Sequence, residues 1–367
     1  MKKTGQVLSR IFPMLLFMLV GGICGVMIGR YLASFDGGLM GLALLIVLMY
    51  AVMLVQIAIH EAGHLIFGLI SGYRFSSYRL FSFMWVRQNG KICFKRFSLA
   101  GTGGQCLMEP PELVDGRIPV TLYNLGGSLL NLVASALALA LCFLVADRPL
   151  LSLFLRLSSF LGVAFALLNG IPMRLGAVDN DGYNALALRR DREALRAFWV
   201  QMKVNAATME GLRLKDMPEA WFALPSDGAM ANPMMAAVAV LACNRLLDQH
   251  RFAEADALME RVAAAKGTVG VYKGLLRCDR MYIALIGEGT LDKNAIAPDR
   301  EQKKFMKSMK SFPGVIRTEY ALALLHEQNQ KAAEKVLHRF EKCAESYPSR
   351  SDIESERELM KIARMKA

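Results

Sequence analysis

Histidine is scarce in this chain: there are five in 367 residues, and three of them, His250, His326 and His338, stand in polar stretches of the second half. The seven cysteines, at 24, 93, 106, 142, 243, 278 and 343, form no CxxC pair and no zinc-finger spacing. That excludes a thiolate-built structural metal site, and an odd, scattered set argues against a disulfide framework and fits a reducing cytosol. Several sit in apolar runs, where cysteine behaves as a small hydrophobe. Charge is thin in the first half: residues 1–182 carry 14 Lys/Arg and 8 Asp/Glu, against 30 and 24 in the remainder. Neither half has a dense basic stripe with interleaved aromatics, so the net charge of +12 does not point to nucleic acid.

What the first half has instead is apolar length. The chain is 54% hydrophobic with a positive mean hydropathy, too apolar for an ordinary soluble protein. Four stretches reach the roughly 20 residues that a bilayer-spanning helix needs: Ile11 to Ala33, Leu39 to Ile70, Val120 to Ala146 and Leu150 to Ile171. The first follows Met-Lys-Lys but lacks a small-residue cleavage site and is long for a secretory signal, so it reads as a retained helix. With the N-terminus inside, four crossings put eleven of the Lys/Arg within residues 1–182 on the inner side. Only Arg30 and Arg148 fall outside, and Arg156 can snorkel outward.

Between the second and third spans the pattern changes. Tyr78 to Val86 alternates with strand period, Gln88-Asn-Gly supplies a turn, and Lys91 to Phe97 alternates again, which predicts a β-hairpin. Ala100-Gly-Thr-Gly-Gly and Glu109-Pro-Pro-Glu then predict a Gly/Pro-shaped loop. Beyond Tyr183 the pattern is amphipathic helix, broken between Met217-Pro and Asn232-Pro. Within the tail, the segment from Leu246 aligns with the segment from Leu324, and Ala255 with Ala333. The offset is about twice the ~34–40 residue period of helical-hairpin repeats, which predicts a degenerate tetratricopeptide-type array, with a plain helical bundle as the alternative.

The chemistry-bearing signal is His60-Glu61-Ala62-Gly63-His64. Residues four apart share a helix face, so both imidazoles can reach one metal ion, and Glu61 is placed to take a proton from water beside it. Two histidines and a glutamate within an apolar span need a compensating partner, because a charged group at the bilayer centre costs about 2.5–3.5 kcal/mol or more. A catalytic zinc takes three protein ligands. The first half has no further histidine, so a carboxylate must serve. After two more crossings the chain returns to the same membrane face at Asp179-Asn180-Asp181-Gly182.

These residues resemble the site-2 protease family of intramembrane zinc metalloproteases, which pairs His-Glu-x-x-His with a later Asn-x-x-Pro…Asp-Gly element. The counterparts are His60 to His64, then Asn169, Pro172, Asp181 and Gly182, with Gly127 to Asn131 matching a Gly-x-x-x-Asn stretch between them. The likeness spans roughly residues 40–190. It departs in the segment from Met173 to Asn180, which is longer than the family's. The third ligand is therefore Asp181, favoured because it precedes Gly182, or Asp179, which could instead accept a hydrogen bond from a ligand histidine.

The resemblance implies Zn2+ held by His60, His64 and Asp181, Glu61 as the catalytic acid–base, and Asn131 and Asn169 as substrate-positioning groups. A helix-packing role for Asn131 stays open. It further implies strand addition of an extended substrate at 78–97 and a gating loop at Gly101 to Pro111. The expected fold is mostly α: a polytopic membrane bundle with a small β-hairpin insertion, then a soluble repeat-like helical domain. Residues 1–38 would form an N-terminal transmembrane helix, 39–190 the metalloprotease core with its cytosolic loop at 71–119, and 191–367 the cytosolic tail. The expected activity is peptide-bond hydrolysis in or near a transmembrane segment of a membrane-anchored substrate. The alternative is a catalytically inactive membrane peptide-binding or scaffold protein. Expected partners are that substrate, the lipid bilayer and a protein recruited by the tail. The expected location is a bacterial cell membrane, with both termini cytoplasmic.

Overall fold

In a computed structural model of the chain, the described residues are 14–15, 18–23, 25–26, 29–30, 38–97, 103–175, 178–290 and 296–367. The expected first span, Ile11 to Ala33, lies largely outside them. The fold is mostly helical with small antiparallel β pairs, and it divides into two compact units. One comprises residues 1–80 and 101–191, the other 81–100 and 192–367. The loop expected at 71–119 is thus shared between the units.

The first unit is built on three helices, α1 (Gly38–Ile70), α2 (Val120–Leu144) and α3 (Pro149–Gly170), each long and apolar enough to cross a membrane. Their outward positions carry exposed Leu39, Ile46, Val47, Leu137 and Phe143, as a lipid-facing surface would. Leu45 and Val52 of α1 pack with Leu153, Leu157 and Leu161 of α3. At 33 residues α1 runs about 50 Å, well beyond a hydrocarbon core of about 30 Å. Gly63 and Gly126 let α1 and α2 cross backbone to backbone, because a Cβ on either would collide with the other's main chain.

Two strands complete this unit, β1 (Arg74–Leu80) and, further along the chain, β4 (Gly104–Glu109), paired antiparallel from Arg74↔Glu109 to Leu80↔Gly104 with an irregularity between Phe75 and Ser77. The Gly/Pro-shaped loop expected here is therefore in part a strand. Gln105 to Met108 has no helix-breaking proline, and pairing with β1 satisfies its backbone. Likewise the single strand expected from Tyr78 to Val86 is broken. Phe81 takes φ +53°, which ends β1 and starts β2 (Phe83–Gln88). Asn89 and Gly90, at φ +50° and +72°, turn β2 into β3 (Lys91–Arg96), the two-residue turn that Asn-Gly favours.

In the second unit this β2–β3 hairpin is held by the helical tail. Arg87 pairs with Glu210 at 2.5 Å, Gln88 donates to the Pro348 carbonyl at 2.5 Å, and Phe97 meets Tyr347 edge to face. The tail runs α5 (Arg192–Met209), α6 (Pro233–Asp248), α7 (Phe252–Ala264), α8 (Gly270–Leu285), α9 (Arg300–Ser308), α10 (Pro313–Ala321), α11 (Gln330–Ser346) and α12 (Arg350–Met365). The two segments aligned in sequence are both helix–turn–helix. His250 and Gln328, at matching positions, both take positive φ (58° and 48°), and Ala255 and Ala333 are both buried one turn later. Between α3 and α5 lies α4 (Asp181–Arg190), which belongs to the first unit.

Candidate metal centre

The four-residue step from His60 to His64 puts both imidazoles on one face of α1, and both are buried. Their Nε2 atoms lie 3.2 Å apart with the rings nearly perpendicular. Asp181, the first residue of α4, brings Oδ2 to 3.1 Å from Nε2 of His60 and 3.3 Å from Nε2 of His64. Among the described residues this is the one group of histidine, cysteine and carboxylate side chains able to hold a metal ion.

The far nitrogens decide the chemistry of the near ones. Nδ1 of His64 lies 2.9 Å from the Tyr123 carbonyl, and Nδ1 of His60 lies 3.0 Å from Asn131 Oδ1. Both partners are acceptors, so each Nδ1 carries a proton and donates it. In the neutral imidazole Nε2 then keeps its lone pair. Protonating both would set two N–H groups against each other across 3.2 Å. Two imidazole lone pairs and a carboxylate oxygen thus converge on a point with room for one positive charge. The edges of 3.1, 3.2 and 3.3 Å are those of a tetrahedron whose corners stand about 2.0 Å from its centre, the spacing of a four-coordinate nitrogen–oxygen metal site.

Glycines shape the walls. A Cβ on Gly127 would stand 2.5 Å from two atoms of the His60 ring, so this position of α2 is the floor on which that imidazole lies. A Cβ on Gly104 would meet Glu61 Cγ at 2.6 Å, so Glu61 rests against the bare backbone of β4.

Asn180 delivers Asp181. Its Oδ1 accepts from the amides of Met173 and Tyr183, and its Nδ2 donates to the carbonyls of Leu168 and Ile171. One side chain thereby caps α4 and ties it to the end of α3. Gly182 sits against the Gly170 carbonyl, where no Cβ would fit. Between Pro172 and Asp181 two short strands pair antiparallel, β5 (Arg174–Leu175) with β6 (Val178–Asp179), and Met173 and Asn180 are bonded beside them. Asp179 of β6 meets Arg174 at 3.5 Å and is not one of the cluster formed by His60, His64 and Asp181. Burial pushes its carboxyl up against the opposing charge of Arg174.

The sequence-derived residues therefore separate. His60, His64 and Asp181 come together with Glu61 adjacent in the helix. Asn131 accepts from His60 Nδ1. Asn169 turns its amide to the Phe165 carbonyl of its own helix at 2.9 Å. Sequence reasoning missed Gln56, which contacts Asn131, and the capping role of Asn180. A signal for the first existed: Gln56 is a polar residue in an apolar run, one helical turn before His60 and two before His64. Compared with known proteins, the chain matches no family model, no curated protein and no solved structure.

Proposed function

We propose that this chain is an intramembrane zinc metalloprotease that hydrolyses a peptide bond in or near a transmembrane segment of a membrane-anchored substrate. The observation that carries this reading is the triangle of His60, His64 and Asp181 ligand atoms, with edges matching a tetrahedral ion and a glutamate one residue from the first ligand. The donor set, two neutral imidazoles and one carboxylate, fits zinc with an open fourth position. Bound zinc supplies Lewis-acid activation of a water and of the scissile carbonyl. Glu61 takes the water's proton and returns it to the departing amine. Asn131 and the Tyr123 carbonyl hold the two imidazoles in the tautomer that faces the centre. Gly103 and Gly104 carry β4 past Ile57 and Glu61 without side chains, and an extended substrate would lie along this strand.

The charge distribution supports a topology in which the metal centre opens to the cytoplasmic face and both termini are cytoplasmic. The tail, with its paired helical hairpins, would recruit a protein partner or substrate. The test is zinc content in purified full-length protein, together with cleavage of a transmembrane reporter substrate. The wild type should hold one zinc, and Glu61→Gln should keep the metal and lose cleavage. Protein without zinc, or cleavage that survives Glu61→Gln, overturns the proposal. Zinc without any Glu61-dependent cleavage would favour the scaffold alternative.

A further inference from the structure

We infer that Gln56 and Asn131 form a buried polar strut that sets the orientation and tautomer of His60, making both of them positioning residues for the metal centre. This rests on the zinc reading above and names the groups that tune its first ligand. The strut runs through all three membrane-length helices at one level. Gln56 of α1 donates from Nε2 to the Ser158 carbonyl of α3 at 2.8 Å. Its Oε1 accepts from Asn131 Nδ2 of α2 at 2.8 Å, and Asn131 Nδ2 also reaches the Gln56 backbone carbonyl at 3.2 Å. Asn131 Oδ1 then accepts from His60 Nδ1 at 3.0 Å.

Each link dictates the next. The Ser158 carbonyl can only accept, so Gln56 must turn its NH₂ to it and its oxygen to Asn131. Facing two oxygens, one from the Gln56 side chain and one from its backbone, Asn131 must present its own NH₂. Its oxygen is left for His60, whose Nδ1 must carry the proton. The lone pair of His60 is thereby committed to Nε2, the atom that meets His64 and Asp181. A flip of either amide would set oxygen against oxygen and leave a buried acceptor unpaired.

The surroundings fit such a part. Gln56 and Asn131 are buried to 1% and 0% exposure in otherwise apolar helices, where an unsatisfied amide would be costly. Gly162 of α3 clears the space for the glutamine, since a Cβ there would stand 2.8 Å from Gln56 Oε1. Polar side chains between membrane helices commonly serve as glue. Glue alone, however, requires neither that the chain end on a ligand nitrogen nor that every donor point the same way along it.

The experiment is a double-mutant cycle read as zinc affinity, by chelator competition on full-length protein, with thermal unfolding of the metal-free forms alongside. Asn131→Leu should raise the zinc Kd by about 10–100-fold and Gln56→Met by about tenfold, the range for groups that orient a metal ligand. Because Gln56 acts through Asn131, the double variant should bind zinc no more weakly than Asn131→Leu alone. Packing glue would instead give additive losses of unfolding temperature with zinc affinity unchanged, and that result overturns the inference. So does an additive double variant. Should Asn131→Leu fail to fold, Asn131→Ala takes its place in the cycle. A wild type that binds no zinc defeats the underlying reading itself, and is told apart because it precedes any comparison of variants.

Discussion

Gly127→Ala is the smallest change that should empty the metal centre. The added methyl would lie 2.5 Å from Cε1 and Nδ1 of His60 and 2.7 Å from Nε2, where ordinary carbon contacts begin at 3.4 Å. The ring must retreat by roughly 0.9 Å or the two helices must part. Parting is opposed by the backbone contact of Gly63 with Gly126 one residue away and by the strut below it. Retreat of the ring draws Nδ1 off Asn131 and Nε2 off the shared centre, and metal sites tolerate only about 0.2 Å of ligand displacement. Overpacking of this kind costs about 1–3 kcal/mol of stability, which a helical bundle of this size should survive. Zinc affinity should fall by about 100-fold or more, because one of three protein ligands is misplaced. The comparison is Gly68→Ala on α1. There a Cβ meets only the Met108 thioether end and the Tyr123 ring, at 3.1–3.3 Å, and the flexible methionine can yield. Both variants would be assayed for zinc by chelator competition and for unfolding temperature. A folded Gly127→Ala protein with wild-type zinc affinity would refute the geometry of the centre.

Asp181→Ala should abolish stoichiometric zinc, whereas Asp179→Ala should leave it bound, since Asp179 faces Arg174; metal analysis of the two proteins decides, and the reverse result would reassign the ligand. In the tail, burial pushes Asp352 up to about 6 and Glu356 up to about 7, from ordinary values of 3.8 and 4.5. Groups raised on folding stabilise fully below their unfolded values and lose that contribution as pH rises through the folded ones. Hydrogen-exchange protection of Arg350–Met365, corrected for intrinsic rate, should therefore decline from about pH 4.5 to pH 7, and protection that rises over that window would contradict the assignment.

The spans were legible because apolar length needs no tertiary context: the helices from Gly38, Val120 and Pro149 begin within a residue of their sequence limits. The hairpin turn at Asn89-Gly90 was legible for a local reason too, since both residues tolerate positive φ. Phe81 hid the break between β1 and β2, because a bulky aromatic at φ +53° carries no turn signal and the alternation continues across it. β4 was masked by the glycines and prolines that flank it. Its identity as a strand comes from pairing with β1, some 30 residues earlier, which no local pattern reports. The hairpin's attachment to the tail through Glu210, Tyr347 and Pro348 was equally invisible, resting on an ion pair, a ring contact and an amide-to-carbonyl hydrogen bond between residues far apart in sequence.

The site divides along the same line. A histidine pair on one helix face is written into spacing, and the expectation that a carboxylate would return to it came from counting apolar stretches. The direction in which an amide points is a property of the whole chain of acceptors behind it. Asn131 could therefore be placed in a motif but not assigned its partner until Ser158 and Gln56 were in position. The long segment before Asp181 illustrates the converse. It made the ligand ambiguous in sequence because spacing alone sets no geometry across a loop. In the fold its added residues leave the helix end as β5 and β6 and rejoin where they left, with Met173 and Asn180 bonded across the base. Since Asn180 also holds Leu168, Ile171 and Tyr183, the position of Asp181 depends on that one asparagine and not on how many residues lie between it and Pro172.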